Sequence, residues 1–142
     1  MQRFIKLDQQ DQPLPDDAPF ENVGGILVKH ANVIVAPFLL NDGQRANYAD
    51  AVKIADGCAH LDKRWRLPEV EELFLIPDRS KYNPAIDTNF FPFLADGGWA
   101  WSNTKDASVS SYAWYVYFSY GHSYYGAQSN GALVLAVRSA SQ

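Results

Sequence analysis

A chain of 142 residues with 47% hydrophobic content is long enough for one domain with a proper core and too short for two ordinary ones. Its formal net charge of −4 and its twelve scattered Lys and Arg residues exclude a basic face tracking a phosphate backbone, so nucleic acid is not an expected partner. No apolar run approaches the ~18 to 20 residues that span a bilayer, and "MQRFIKLDQQDQ" lacks the apolar stretch of a secretory signal. The expectation is a soluble domain without membrane insertion, in the cytoplasm or on a virion.

The first element is a short strand, "RFIKL", and the Pro-rich, acidic stretch 8–22 that follows predicts an exposed arm. Two β-branched runs, around Ile26–Val28 and Val33–Val35, flank "KHAN" and predict a hairpin, with Pro37 ending the second run. Asn47 is placed to cap a helix through "ANYADAVKIADGCAHL", with Asp50 near the positive end of its dipole and Tyr48, Val52, Ala55 and Cys58 or Ala59 on the inner face. A shorter helix is predicted to start at Pro68, to turn Val70, Leu73 and Phe74 inward, and to stop at Pro77. Residues 81–98 read as a long loop pinned by Phe90, Phe91 and Phe93.

The remainder predicts β structure: "WAWSNT", "AWYVYFS", a turn at Gly121, "HSYYGAQ" and "ALVLAVRS". Between Asp106 and Arg138 there is no charged side chain, yet five of the eight tyrosines lie within residues 113–128. A strand's period of two puts Trp114, Val116 and Phe118 on one face and Tyr115, Tyr117 and Ser119 on the other. Tyrosine offers a stiff, amphipathic contact with few rotors to freeze and a hydroxyl to bond, which suits a binding surface.

Catalytic and metal motifs fare poorly. "GHSYYG" has Tyr125 where a Gly-x-Ser-x-Gly nucleophile elbow needs its second glycine. His30, His60 and His122 include no i, i+4 pair, and the single Cys58 excludes an internal disulfide or a cysteine zinc site. Asp78, Asp87 and Asp96 fall in loops, where isolated acids are usually solvated. No cofactor, metal or catalytic residue is expected.

Trp65-Arg66-Leu67-Pro68, Glu72-Leu73, Asn83-Pro84-Ala85-Ile86-Asp87-Thr88, Phe91-Pro92, Trp101-Ser102, Ala113-Trp114, Val116, Phe118, Gly121 and Val137-Arg138 form an ordered series. The series resembles the Lcl C-terminal-like domain family, with its "WRLP…EL…WSS…AW.V.F..G…VR" pattern, from about Asn47 to Arg138. Departures are "WAWSNT" in place of "WSSS" and Leu135 in place of an arginine. The resemblance implies an α+β, C-type-lectin-like fold related to formylglycine-generating domains, with two helices on a small, mostly antiparallel twisted sheet and long loops, in a single domain over residues 1–142.

The same resemblance implies a framework of Trp65, Arg66, Glu72, Trp101, Trp114 and Arg138. It includes an ion pair tying the second helix to the last strand through Arg66, Glu71, Glu72 and Arg138. It further implies that the positions varied in retroelement-diversified members are here Tyr115, Tyr117, Ser119, Tyr120, His122, Tyr124, Tyr125, Ser129 and Asn130. The lone Cys58 does not supply the cysteine pairs of formylglycine-generating enzymes, and Trp101-Ser102-Asn103 does not complete a lectin calcium motif. The expected function is therefore a non-enzymatic, phage or prophage receptor-binding module taking a protein or glycan ligand, with homo-oligomers open. The rivals are an intracellular phage-encoded interaction or inhibitor protein and a metal-independent glycan-binding adhesin.

Overall fold

The computed structural model describes residues 3–109 and 111–140, and its fold is α+β. Nine elements beyond short 3-10 turns follow one another: β1 (Phe4–Leu7), β2 (Gly25–Val28), β3 (Val33–Val35), α1 (Tyr48–Asp56), α2 (Val70–Leu73), β4 (Trp99–Lys105), β5 (Tyr112–Tyr117), β6 (His122–Ala127) and β7 (Val137–Ser139). They build two antiparallel sheets, ordered β1-β2-β3-β7 and β4-β5-β6. Among the described residues no helix is long and apolar enough to cross a membrane.

The strand and helix expectations hold where local chemistry decides. β2 and β3 pair in register, Ile26 with Val35 and Val28 with Val33, around the Lys29–Asn32 connection. In α1 the Asn47 side chain accepts the Asp50 N–H at 2.9 Å, which satisfies one of the donors left free at a helix start. Its buried face is Tyr48, Ala51 and Ala55; Val52 and Cys58 are half-buried and Ala59 is exposed.

Other expectations are corrected. α2 starts at Val70 rather than Pro68, because Glu69 takes the cap position and its N–H bonds the Glu72 carboxylate at 2.8 Å. Leu73 is fully buried, but Phe74 stays 37% exposed beneath the Arg79 guanidinium, 3.8 Å from its ring centre. The stretch 8–22 is largely exposed, as expected, and is tied down at points: Leu14 N–H bonds Lys6 C=O, Asn89 Nδ2 bonds Asp16 C=O, and Ala18 is buried. Of "ALVLAVRS", only Val137–Ser139 forms a regular strand. Residues 132–136 instead pass between the sheets, Ala132 bonding Ala46, Leu133 bonding Trp99 and Trp101, Val134 bonding Leu40 and Ala136 bonding Ala36.

Two apolar clusters make the core. One joins Ile26, Val35, Leu73, Phe91, Ala100, Val116, Phe118 and Leu135 between the sheets. The other packs α1 against Ile34, Trp65, Leu67, Trp101 and Val134. The β4-β5-β6 sheet is thus gripped on one face by the first cluster and, at its Trp101 end only, on the other face by the second.

The framework ion pairs differ from the expected arrangement. Arg66 forks onto Glu72 at 2.7 and 2.8 Å, but Arg138 reaches neither acid of α2. Its Nη2 lies 2.6 and 2.7 Å from the two oxygens of Asp11, and its guanidinium sits 5.3 Å above the Trp65 ring. The last strand meets the Trp65-Arg66 segment through backbone instead, Arg66 and Val137 exchanging N–H to C=O bonds of 2.9 and 2.8 Å.

Candidate binding surface

Cross-strand register assembles the aromatic face. β4 and β5 place Trp99 opposite Tyr117 and Trp101 opposite Tyr115; β5 and β6 place Tyr115 opposite Tyr124 and Tyr117 opposite His122. Directly opposed residues share a face, so Trp99, Trp101, Tyr115, Tyr117, His122 and Tyr124 line one side of the sheet. Trp99 is the hub. Its indole stacks on Tyr117 with ring centres 4.0 Å apart and planes 11° apart, tilts over Tyr115 at 4.6 Å and meets Tyr124 edge-on at 5.4 Å. Tyr120 closes the circuit, edge-on to Tyr117 at 5.4 Å and 6.4 Å from His122, which lies 6.1 Å from Tyr124.

The face grades from anchored to open. At the anchored end Tyr115 stacks on the fully buried Trp101, which in turn meets Tyr48 edge-on. Burial holds the phenol of Tyr115 above its ordinary pKa, and burial together with the charge of Glu69 does the same for Tyr48. The Tyr115 ring lies along the sheet because residue 126 is glycine: a Cβ there would come 2.7 Å from the Tyr115 hydroxyl. At the open end Tyr120 is 50% and Tyr124 46% exposed, and His122 is exposed too. The turn that carries them needs Gly121 at φ 77°, a left-handed conformation that also sets it against Pro77, Arg79 and Ala85.

The nine sequence-derived positions do not share one surface. Tyr115, Tyr117, Tyr120, His122 and Tyr124 come together. Tyr125 points to the opposite side, 52% exposed, where it meets Trp114 edge-on at 5.2 Å and Tyr112 at 6.0 Å. Ser119 is buried at 8%, against Gly97 and 3.4 Å from the Gly98 N–H. Strand parity fails for it because β5 ends at Tyr117 and residues 118–121 turn. Ser129 and Asn130 are exposed in the turn after β6.

Trp114 shares the side of Val116 and Phe118 as expected. It is only half-buried, however, walling a cleft of about 230 Å³ with Val70, Glu71, Phe74 and Ser123. Trp99 is the residue that sequence reasoning missed. Its signal is the alternation in "WAW", which puts it on the face of Trp101 two residues on.

The acid and base candidates are engaged in holding α2. Glu72 accepts from Arg66 and from the Glu69 N–H, while Thr104 Oγ1 donates to Glu69 at 2.9 Å and accepts the Val70 N–H at 3.0 Å. Burial pushes the Glu72 carboxyl up, but the Arg66 hydrogen bond, the Glu69 N–H and the Arg66 charge outweigh it and leave the group below its ordinary value. Among the described residues no three His, Cys, Asp or Glu side chains come together as a metal site.

A family model, the Lcl C-terminal domain, matches residues 28–138. The match begins well before Asn47, so β3, its hairpin connection and the segment leading to α1 belong to the family's stretch as well. No curated protein matches the chain.

Proposed function

The chain belongs to the Lcl C-terminal domain family, and from that premise we propose that it is a non-enzymatic recognition module. Its ligand contacts are the Trp99-centred face formed with Tyr115, Tyr117, Tyr120, His122 and Tyr124. The observation that carries this reading is the continuity of that face: ring-to-ring contacts link its six side chains, with no formal charge in residues 107–137. Such a surface presents large apolar area, hydroxyl donors and an imidazole at small entropic cost, because its inner rings are already immobilised by stacking.

The finer reading is a C-type-lectin-like, phage- or prophage-encoded target-binding protein whose exposed tyrosine positions are diversified. Under it, Tyr115, Tyr117, Tyr120, His122 and Tyr124 are variable contacts, the first two held in place by stacking on Trp99 and the last three open to a ligand. Flat indole and phenol faces also suit stacking on a sugar ring without metal, which supports a glycan ligand as the second reading.

A peptide display library and a glycan microarray probed in parallel with the natural chain and with the Tyr120→Ala, His122→Ala, Tyr124→Ala triple variant test the assignment. Binders of the natural chain should weaken at least ~10-fold on the variant, since exposed aromatics dominate such contacts. Binders that ignore the triple variant would place recognition elsewhere.

A further inference from the structure

Three of the four sheet edges are covered from within the chain. The outer edge of β1 is met by residues 12–14, through the Leu7–Pro13 bridge and the Leu14 N–H to Lys6 C=O bond. β7 is met by Arg66, and β4 by Leu133, which exchanges bonds with Trp99 and Trp101. The fourth edge, β6, ends its sheet.

The ladder phase shows which groups that edge presents. Gln128 N–H bonds Ser111 C=O, in register with β5-β6, while Tyr112 C=O and Phe118 N–H bond toward β4. Hydrogen-bonded pairs alternate along an antiparallel ladder, so Gly126, Tyr124 and His122 bond β5, and the backbone groups of Ser123 and Tyr125 face outward, as does the Ala127 N–H; the Ala127 C=O accepts the Asn130 N–H of the following turn at 3.0 Å. Among the described residues no backbone group outside the hairpin bonds Ser123 or Tyr125.

Open edges are normally guarded by lysine, proline, a bulge or an inward charge. "HSYYGA" has none of these, and its pairing with β5 is unbroken over all six residues.

We infer that β6 is the contact through which two copies of this chain pair, antiparallel and about a two-fold axis at Tyr125. Symmetric pairing demands that opposed residues share a face, so Tyr125 meets its own copy, Ser123 meets Ala127, and Tyr124 meets Gly126, a bulky residue against the smallest. The two Tyr125 residues would exchange N–H to C=O bonds across the axis, and on either side the Ala127 N–H of one copy would donate to the Ser123 C=O of the other. No residue of β6 carries a formal charge, so no like charges oppose each other between the paired strands; Glu71 lies off the strand, in the cleft it lines with Ser123. The product is one six-stranded sheet carrying both aromatic faces on the same side, which gives a paired molecule two recognition surfaces in one plane.

Sedimentation equilibrium from micromolar to millimolar chain concentration tests this, with a species of twice the 15.9 kDa chain mass expected. Tyr125→Lys sets two ammonium groups opposite each other and should abolish that species. Tyr82→Lys, at a residue 79% exposed and outside the sheet, should leave it intact. In a Cys58→Ser background, Tyr125→Cys should yield a disulfide-linked dimer on mild oxidation, because opposed strand positions lie within disulfide reach. A natural chain that stays monomeric at millimolar concentration overturns the pairing. So does a dimer that survives Tyr125→Lys, or one that Tyr125→Cys does not crosslink.

Discussion

The Trp99 indole lies nearly flat on the Tyr117 phenol, 4.0 Å between ring centres, with the two residues directly opposed across β4 and β5. The stack makes Trp99 the keystone of the surface rather than one contact among several. Trp99→Ala should destabilise the fold by about 2 kcal/mol, below the range for a fully buried Trp because the ring is half-exposed. Tyr120→Ala and Tyr124→Ala should each stay within about 1 kcal/mol of the natural chain. Urea unfolding monitored by far-UV circular dichroism separates these, and equal costs at all three positions would refute the division into anchored and open ends.

Gly126 and Tyr115 are a second coupled pair. Gly126→Ala brings a methyl to within 2.7 Å of the Tyr115 hydroxyl, so the ring must leave its stack on Trp101 and Trp99. A cost of about 1–3 kcal/mol is expected, as for other overpacked sites, together with a changed near-ultraviolet aromatic signal. In Tyr115→Phe the added methyl should be better tolerated, because the closest atom is gone. A double-mutant cycle measures that coupling.

Arg138 is 4% exposed, its Nε has no hydrogen-bond partner among the described residues, and Asp11 is its ion-pair partner. Removing Asp11 leaves a buried guanidinium uncompensated. Asp11→Ala is therefore expected to cost about 3 kcal/mol, at the low end for a broken buried pair because Asp11 itself is partly solvated. Trypsin cleavage within residues 3–14 should accelerate in the same variant, since the pair pins that segment onto β7. Unchanged stability would show that water replaces the carboxylate without loss.

Glu72 makes stability depend on acid. Its folded pKa lies below the ordinary 4.5, so its contribution is present above pH 4.5 and is lost as pH falls through the folded value, where the carboxylate protonates and releases Arg66. Thermal melts between pH 7 and pH 3 should show a steeper acid decline for the natural chain than for Glu72→Gln. The variant starts less stable at pH 7. Parallel curves would mean that other carboxylates dominate the decline.

How far sequence carried the reading depends on the range of the interaction. The Asn47 cap, the hairpin between Ile26 and Val35 and the inward turn of Val116 and Phe118 were legible, because each follows from contacts between near neighbours or from a strand's period. The ordered Trp, Pro, Glu and Arg positions were enough to recognise the family. The partner of Arg138 was not legible: Asp11 lies 127 residues away, and nothing local distinguishes that acid from Glu71 or Glu72.

The same limit split the tyrosines. Composition marked residues 113–128 as uncharged and rich in tyrosine, and a strand's period with the family pattern suggested an outward set, whereas the register of β4, β5 and β6 decided which rings share a face. It brought Trp99 to the centre, turned Tyr125 to the other side and left Ser119 under the turn. Periodicity tells which residues of one strand agree in direction; only the pairing of strands, set by packing on both clusters, tells what each side chain meets.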